Sequence, residues 1–166
     1  MAAVSSARLV ISLVASTVPA SPVAGELTAS LENGSGGARW TDGQASGMID
    51  RAYRVEGTLA AAAVDTYDVL AAGSLRDING AVIDLDEIKG LVLKCNTGSI
   101  KFLAPAANFL TFFGATGDYI NLTAGQMIAV DFATAGTLLT TNSKFNVVDS
   151  FGGSGSTYSL MFIGSN

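Results

Sequence analysis

Two aspartates on one predicted strand have the spacing that best suits chemistry. Asp84 and Asp86 are two residues apart, so a strand would place both carboxylates on the same side, about 7 Å from each other. Carboxylates at that spacing could bind calcium or act as an acid–base pair. The loop glycine that an EF-hand needs is missing here. Asp65 and Asp68 form a second acidic pair elsewhere in the sequence. We interpret both pairs as exposed strand ends that lead into turns.

The inventory of nucleophiles and bases is thin. The chain has no histidine and one cysteine, which excludes Ser-His-Asp and Cys-His catalysis, an imidazole metal site and a Cys-rich zinc site. Cys95 ends an apolar run and Lys94 would point to the opposite face of its strand, so we predict a buried structural thiol. Residues 42–48 are glycine-spaced but lack the Gly-Lys-Ser/Thr of a phosphate cradle. We therefore expect no enzyme, no metal and no cofactor.

Charged side chains are scarce in this sequence of 166 residues. They make up 14% of the chain, against roughly 25% in an average globular protein. The 9 Lys and Arg against 14 Asp and Glu give a net charge of −5, so a basic nucleic-acid footprint is missing. No segment reaches the ~18 apolar residues of a transmembrane helix. We predict neither a nucleic acid nor a membrane as partner.

Charge is scarcest between residues 102 and 143, where only Asp118 and Asp131 are charged although Phe and Leu are frequent. A solvated monomer normally places Lys and Glu along such a stretch. We interpret the segment as a surface covered by partner subunits, the alternative being a polar but uncharged surface. The residues predicted at this interface are Trp40, Arg51, Phe109, Phe112 and Phe113.

Arg51 and Trp40 are included for their residue types and positions. Arg51 shares the apolar side of its predicted strand with Tyr53 and Val55. That position predicts an ion pair between subunits, or a bond to Asp50 or another acid across a sheet edge. Trp40 is predicted as an interface anchor, with a place in the core as the alternative.

Alternating apolar and polar residues recur in short windows closed by turn residues, which is typical of β-strands. The windows cover residues 49–56, 66–69, 81–86, 91–93, 127–132, 145–148 and 158–163. The chain has 19 glycines, and turn pairs such as Asn79-Gly80 separate the windows. About eight to ten strands in one domain of this size predict an all-β fold, an antiparallel β-sandwich of the jelly-roll type.

The N-terminus fits two interpretations. Residues 9–18 alternate as a strand would, and they also follow Arg8 in the manner of a short signal peptide with a small-residue cleavage site. The apolar parity of the strand consists of Leu9, Ile11, Leu13 and Ala15. We favour the strand and predict an irregular N-terminal arm over residues 1–25 and one β-sandwich domain over residues 26–166.

Several stretches together resemble one protein family. They are LENG at 31–34, WTDGQASGMIDRAYR at 40–54, AGSLRDING at 72–80 and YSLMFIG at 158–164. Their order resembles that of small virion proteins of tailed bacteriophages, of the capsid-decoration or cement type. The motifs are turns, strands and a glycine closure, and they carry no catalytic residue.

This resemblance implies a non-enzymatic virion structural protein on the outer capsid surface. It implies a homo-oligomer, a dimer or trimer, that stabilises the head by bridging subunits of the major capsid protein. Three alternatives stay open at this point. One is a tail or fibre-attachment protein of the same fold, and another is a carbohydrate-binding module, for which Tyr119 near Asp118 and Asn121 is the candidate cluster. The third is a secreted bacterial β-protein with a cleaved N-terminus.

Overall fold

The computed structural model describes residues 41–42, 48–49, 51–70, 75–76, 82, 84–132, 137–150 and 152–165. Over these residues the chain forms eleven strands and no helix, which confirms the predicted all-β fold. The strands are β1 (Thr41–Asp42), β2 (Met48–Ile49), β3 (Arg51–Leu59), β4 (Val64–Asp68), β5 (Glu87–Thr97), β6 (Ser99–Leu103), β7 (Tyr119–Thr123), β8 (Met127–Asp131), β9 (Thr137–Leu138), β10 (Lys144–Asp149) and β11 (Ser156–Ser165). Among the residues described, no helix has the length and apolarity needed to cross a membrane.

Two antiparallel sheets pack face to face to form a sandwich. The four-stranded sheet has the order β4-β10-β6-β7, and the other sheet has the order β3-β11-β5-β8 with β9 as a fifth strand beside β5. β1 and β2 form a separate two-stranded parallel pair. The predicted arm over residues 1–25 lies outside the described residues, so the division into arm and domain stays a prediction.

The strand order is that of a jelly roll. β3 pairs with β11, β4 with β10, β5 with β8 and β6 with β7, so the first four long strands pair with the last four in reverse order. Two further pairings, β11 with β5 and β10 with β6, join these hairpin-like pairs into sheets. An eight-stranded double sheet with this connectivity is a jelly roll, and the predicted fold is thereby confirmed.

Alternation along the strands builds the core between the sheets. On β10 the residues alternate between buried and half-buried positions, with Phe145 and Val147 facing inward. On β11 Tyr158, Leu160 and Phe162 face inward and are almost fully buried. β5 lies between two neighbouring strands and is apolar on both faces, as its sequence predicts.

Two irregularities interrupt the pairing of β5 with β11. Between the pairs Ile163–Gly90 and Gly164–Ile88, β5 has one extra residue, Lys89. Such a bulge reverses the alternation that follows it, and for this reason Ile88 joins the inter-sheet core. The buried ammonium of Lys89 pairs with the carboxylate of Glu87.

One strand window is wrong, and the windows miss two short strands, β1 and β9, and two longer ones. The window at 81–86 is not a strand over its described residues, because Val82 makes one isolated bridge to Arg76 and β5 starts only at Glu87. In this connection the chain instead bonds across the sandwich, with Leu85 N–H donating to Val69 O at 3.0 Å. β6 and β7 were not predicted.

Gly57 carries a prediction about the packing between β3 and β11. It lies directly opposite Tyr158, and a Cβ at this position would overlap the Tyr158 ring. We expect Gly57→Ala to lower the free energy of unfolding by about 1–3 kcal/mol, because a well-packed core resists added volume. Urea denaturation measures the change.

Gly90→Ala is the matched control in the same sheet. A Cβ there would meet Ile163 at 3.4 Å, an ordinary contact, so the free energy of unfolding should change by less than about 1 kcal/mol. Equal effects of the two substitutions would contradict the packing assigned to Gly57.

Candidate functional site

The three phenylalanines predicted at an interface lie in the connection between β6 and β7. Phe113 is 5% exposed and belongs to the core. The Phe112 ring lies 4.1 Å from the Phe113 ring and 5.5 Å from the Phe102 ring, centroid to centroid. Phe109 is half-buried against the same core. The chain itself covers these rings, so their burial does not require a partner subunit. Contact between these rings and a partner stays a prediction.

The connection between β6 and β7 closes one end of the sandwich. Leu110 N–H donates to Lys144 O at 2.9 Å, and Ala104 N–H donates to Asp118 O at 2.9 Å. These bonds fold the uncharged segment inward over the core. The chain itself thus covers the apolar rings of the segment, whereas most of the described residues from 105 to 127 are exposed and uncharged.

Arg51 and Trp40 are the other two residues predicted at the interface. Arg51 is half-buried at the first residue of β3, where it faces Gly164 of β11 across the pairing. Trp40 and the proposed acid Asp50 lie outside the described residues. A specific acidic partner for Arg51 stays a prediction.

The acidic residues singled out by spacing do not converge on one point. Asp65 points between the sheets, whereas Asp68 lies on the outer side beside Ser143 and Lys144. Over the residues that the structure describes, no group of three or more His, Cys, Asp or Glu side chains could hold a metal ion. Cys95 is fully buried, as predicted, and burial raises the pKa of its thiol.

Three polar side chains in the core are linked in series by hydrogen bonds. The Tyr158 hydroxyl donates to Asp65 Oδ2 at 2.5 Å, and the Tyr67 and Tyr158 hydroxyl oxygens are 2.5 Å apart. Because the Tyr158 proton points to the carboxylate, Tyr67 is the donor to Tyr158. The order of donation is thus Tyr67 to Tyr158 to Asp65.

This hydrogen-bonded chain joins the two sheets. Tyr158 is on β11 of one sheet, whereas Asp65 and Tyr67 are on β4 of the other. Burial and the bond to Asp65 raise the pKa of Tyr158 far above its ordinary value. Burial raises the pKa of Tyr67 to about 12. Both phenols hold their protons at neutral pH, so neither supplies a phenolate as base or nucleophile.

A second buried polar cluster fixes the loops at one end of the sandwich. Asp149 accepts from the Ser156 hydroxyl at 2.5 Å and from Ala62 N–H at 3.0 Å. The Ser156 hydroxyl oxygen also accepts from the N–H of Ser99 at 3.1 Å, and it lies 3.0 Å from the C=O oxygen of Ser99. The β3–β4, β5–β6 and β10–β11 connections are tied together there, which again is a structural role.

One shallow cleft with polar walls lies beside β4 and β10. Its volume is about 230 Å³ and its lining residues are Asp68, Leu70, Asn108, Thr141, Ser143 and Lys144. Pockets for small molecules usually measure about 300–1,000 Å³. Asp68 is also already engaged, because it accepts from the Ser143 hydroxyl at 2.6 Å and pairs with Lys144 at 3.3 Å. The cleft is therefore a weak candidate for a ligand site.

The edge strands β7 and β8 form the more distinctive surface. Residues 124–126 join them, so the edges of both sheets lie on the same side of the sandwich. Among the described strands β7 pairs with β6 alone, and β8 with β5 alone. We call this side the β7–β8 edge.

The β7–β8 edge carries three of the four large apolar side chains that are most exposed in the described chain. Tyr119 is 52% exposed, Met127 40% and Ile120 37%. Of the four edge strands with five or more residues, β7 alone contains no charged residue, since β3, β4 and β8 each carry one or more. Edge strands are normally protected from pairing by charge, proline or bulges, and β7 lacks all three.

The cluster considered for sugar binding lies on the same edge. The Lys101 ammonium lies 4.7 Å from the centroid of the Tyr119 ring, where it occupies one ring face. Asp118 Oδ2 accepts from Ala115 N–H at 2.8 Å and so stabilises its own turn. Asn121 is exposed on β7 opposite Lys101.

Comparison with known proteins adds no relative to this description. No protein-family model matches the chain, and no curated protein matches it.

Replacement of Tyr158 by Phe tests the bond between the sheets. The hydroxyl that joins Asp65 to Tyr67 is lost, so we expect the free energy of unfolding at neutral pH to fall by about 1–3 kcal/mol. Tyr119→Phe, which removes an exposed hydroxyl, is the matched control and should be neutral. Chemical denaturation measures both, and equal effects would contradict the assigned role.

The same cluster makes stability sensitive to alkaline pH. A phenol of the unfolded chain ionises near pH 10, whereas Tyr67 in the folded chain holds its proton to about pH 12. The folded state binds more protons in this window, so the free energy of unfolding should fall as pH rises above about 10. The fall should be shallower in Tyr158→Phe. Denaturation curves between about pH 9 and 11 measure it, and identical slopes would contradict the cause given.

Proposed function

We propose that the chain is a non-enzymatic structural protein of a phage particle, a capsid-decoration protein that reinforces the head. In this proposal it docks on the major capsid protein through the β7–β8 edge. Each copy contacts more than one capsid subunit and opposes their separation. The observation that carries the proposal is that β7, which is uncharged and exposes apolar side chains, pairs on one side only among the described strands of a jelly roll.

The fold supports the proposal by analogy. Jelly rolls recur in viral capsid domains and in lectins, so the fold narrows the class of function without selecting one. The scarcity of charge, 14% of residues, favours a protein with much of its surface covered. Together with the resemblance to decoration proteins, these features favour a particle-bound role.

The β7–β8 edge supports docking through main-chain bonds. An unpaired strand can accept a partner strand, whose backbone hydrogen bonds supply affinity without charged contacts. The exposed rings and side chains of Tyr119, Ile120 and Met127 would add apolar area on both sides of that strand. A specific interface needs about 1,600 Å² in total, and repetition on a lattice adds avidity.

The carbohydrate-binding alternative is less well supported by the same residues. Sugar rings stack on an open aromatic face, but Lys101 occupies one face of Tyr119. The carboxylate of Asp118 is bonded within its own turn. A glycan-binding screen that returned a specific ligand would nevertheless favour this alternative over ours.

The copy number in purified particles tests the proposal directly. Quantitative mass spectrometry against the major capsid protein should give a ratio on the order of one copy per few capsid subunits, as lattice-wide docking requires. A handful of copies would assign the chain to the tail or its fibres. Absence from particles would overturn the virion proposal.

A paired-variant experiment tests the docking surface. The variant Tyr119→Glu/Asn121→Glu would place two carboxylates on β7. The ammonium of Lys101 lies beside both positions, so we expect the stability of the folded chain to stay unchanged. We expect affinity for capsids that lack the protein to fall by about tenfold or more. Co-sedimentation with such capsids measures the binding.

Val64→Glu/Thr66→Glu is the matched control on the opposite edge strand of the same sheet. Both residues are exposed on β4, so binding should stay close to that of the unchanged protein. Loss of binding in the β4 variant alone would place the contact on the other side of the sandwich and contradict the β7–β8 edge.

A further inference from the structure

One part of the outer face of the β3-β11-β5-β8 sheet is apolar and buried, whereas the rest of that face carries polar side chains such as Glu56 and Lys94. On β11 the residues that point away from the core include Met161, which is 6% exposed, and Ile163, which is 1% exposed. Their neighbours on the same face are Val92 of β5, 3% exposed, and Ala52 of β3. In a two-layer sandwich the outward residues of a sheet face solvent, as Val64 and Tyr119 do on the other sheet.

These side chains are not buried by the inter-sheet core. None of the four belongs to the cluster of residues packed between the sheets. Outside the two sheets, the described part of the chain contains one further pair of strands, β1 and β2, and β2 lies against β11 without hydrogen bonding to it. Part of the chain that precedes β3, the strand β2, therefore contacts β11.

The length and composition of the N-terminal segment fit the cover. Residues 1–40 form the longest stretch outside the described residues, and the internal stretches have at most five residues each. At ~3.3 Å per residue, ten residues in a strand extend far enough to cross all strands of the sheet. Residues 9–18 contain no charge, and Arg8 is the sole charged residue among the first 25.

We propose that residues 1–40 of the chain cover the buried apolar part of the outer face of the β3-β11-β5-β8 sheet, as a partial third layer. The apolar parity of residues 9–18 packs on the buried face, and Leu9, Ile11 and Leu13 lie against Val92, Met161 and Ile163. The occupant is the segment of the same copy, since it continues directly into β1 and β2. This inference does not depend on the proposed function.

Oxidation of methionine by hydrogen peroxide tests the cover in the full-length folded protein. Oxidation follows exposure, and the chain supplies its own reference, because Met127 is 40% exposed and Met161 is 6% exposed on the same sheet. Peptide mass spectrometry should find Met127 oxidised about tenfold faster than Met161. Equal rates would overturn the proposal.

Two full-length variants identify the segment. In Leu9→Asp/Leu13→Asp the apolar parity carries charge, so Met161 should be oxidised nearly as fast as Met127. Ser12→Asp/Ser16→Asp places the same charges on the opposite parity and should leave Met161 protected. An unchanged rate in the first variant overturns the proposal, as does protection that disappears on dilution to a monomer, which would identify a second copy as the cover.

The buried thiol of Cys95 reports whether the core stays folded in these variants, because it faces the inter-sheet core. If a thiol reagent modifies Cys95 in a variant, the core of that variant has opened. A disulfide experiment then replaces the oxidation rates as the test. In a Cys95→Ala background, Met161→Cys is combined in turn with Leu9→Cys, Ile11→Cys and Leu13→Cys. A disulfide within one chain supports the proposal, and its absence from all three, or a disulfide between chains, overturns it.

Discussion

The position of β11 between β3 and β5 is the constraint on which the rest of the structure depends. The last strand of the chain is hydrogen-bonded on both sides over almost its full length. Its inward residues supply the centre of the core, and Tyr158 reaches the opposite sheet through Asp65. One bond from β11 to β3, between Ser159 and Glu56, spans 103 residues of sequence. The fold therefore closes only when both ends of the described domain are present, a topology of high contact order.

Period-two alternation predicted the strands that carry a continuous apolar stripe, because β3, β10 and β11 each turn every second residue toward the inter-sheet core. β6 and β7 were missed for different reasons. β6 follows β5 after a single residue, Gly98, whose positive φ of 76° makes the turn, and its alternation is short, with only Ile100 and Phe102 facing the core. On β7 only Leu122 is buried, since an edge strand has one neighbour and little core to cover.

The candidate surface depends on strand order, and strand order is a long-range property. A shortage of charged residues does not say what covers the apolar side chains of a segment. Residues of the same chain can cover them, as they do for Phe112 and Phe113. The lack of charge on β7 acquires meaning only once β7 is known to lie at an edge. In the centre of a sheet, the same five residues would be an ordinary strand.

The two outer faces of the sandwich differ in what they leave accessible. The face of the β3-β11-β5-β8 sheet buries Val92, Met161 and Ile163, so its apolar area is already used within the folded chain. The four-stranded sheet exposes Val64 at one edge and Tyr119 at the other. At the β4 edge Val64 is next to Asp65, whereas the β7–β8 edge exposes three large apolar side chains, so a partner that needs apolar area and unpaired backbone groups together finds more of both there. Under the proposed function, that asymmetry would give the protein a defined orientation on the capsid, which a uniform apolar coat would not provide.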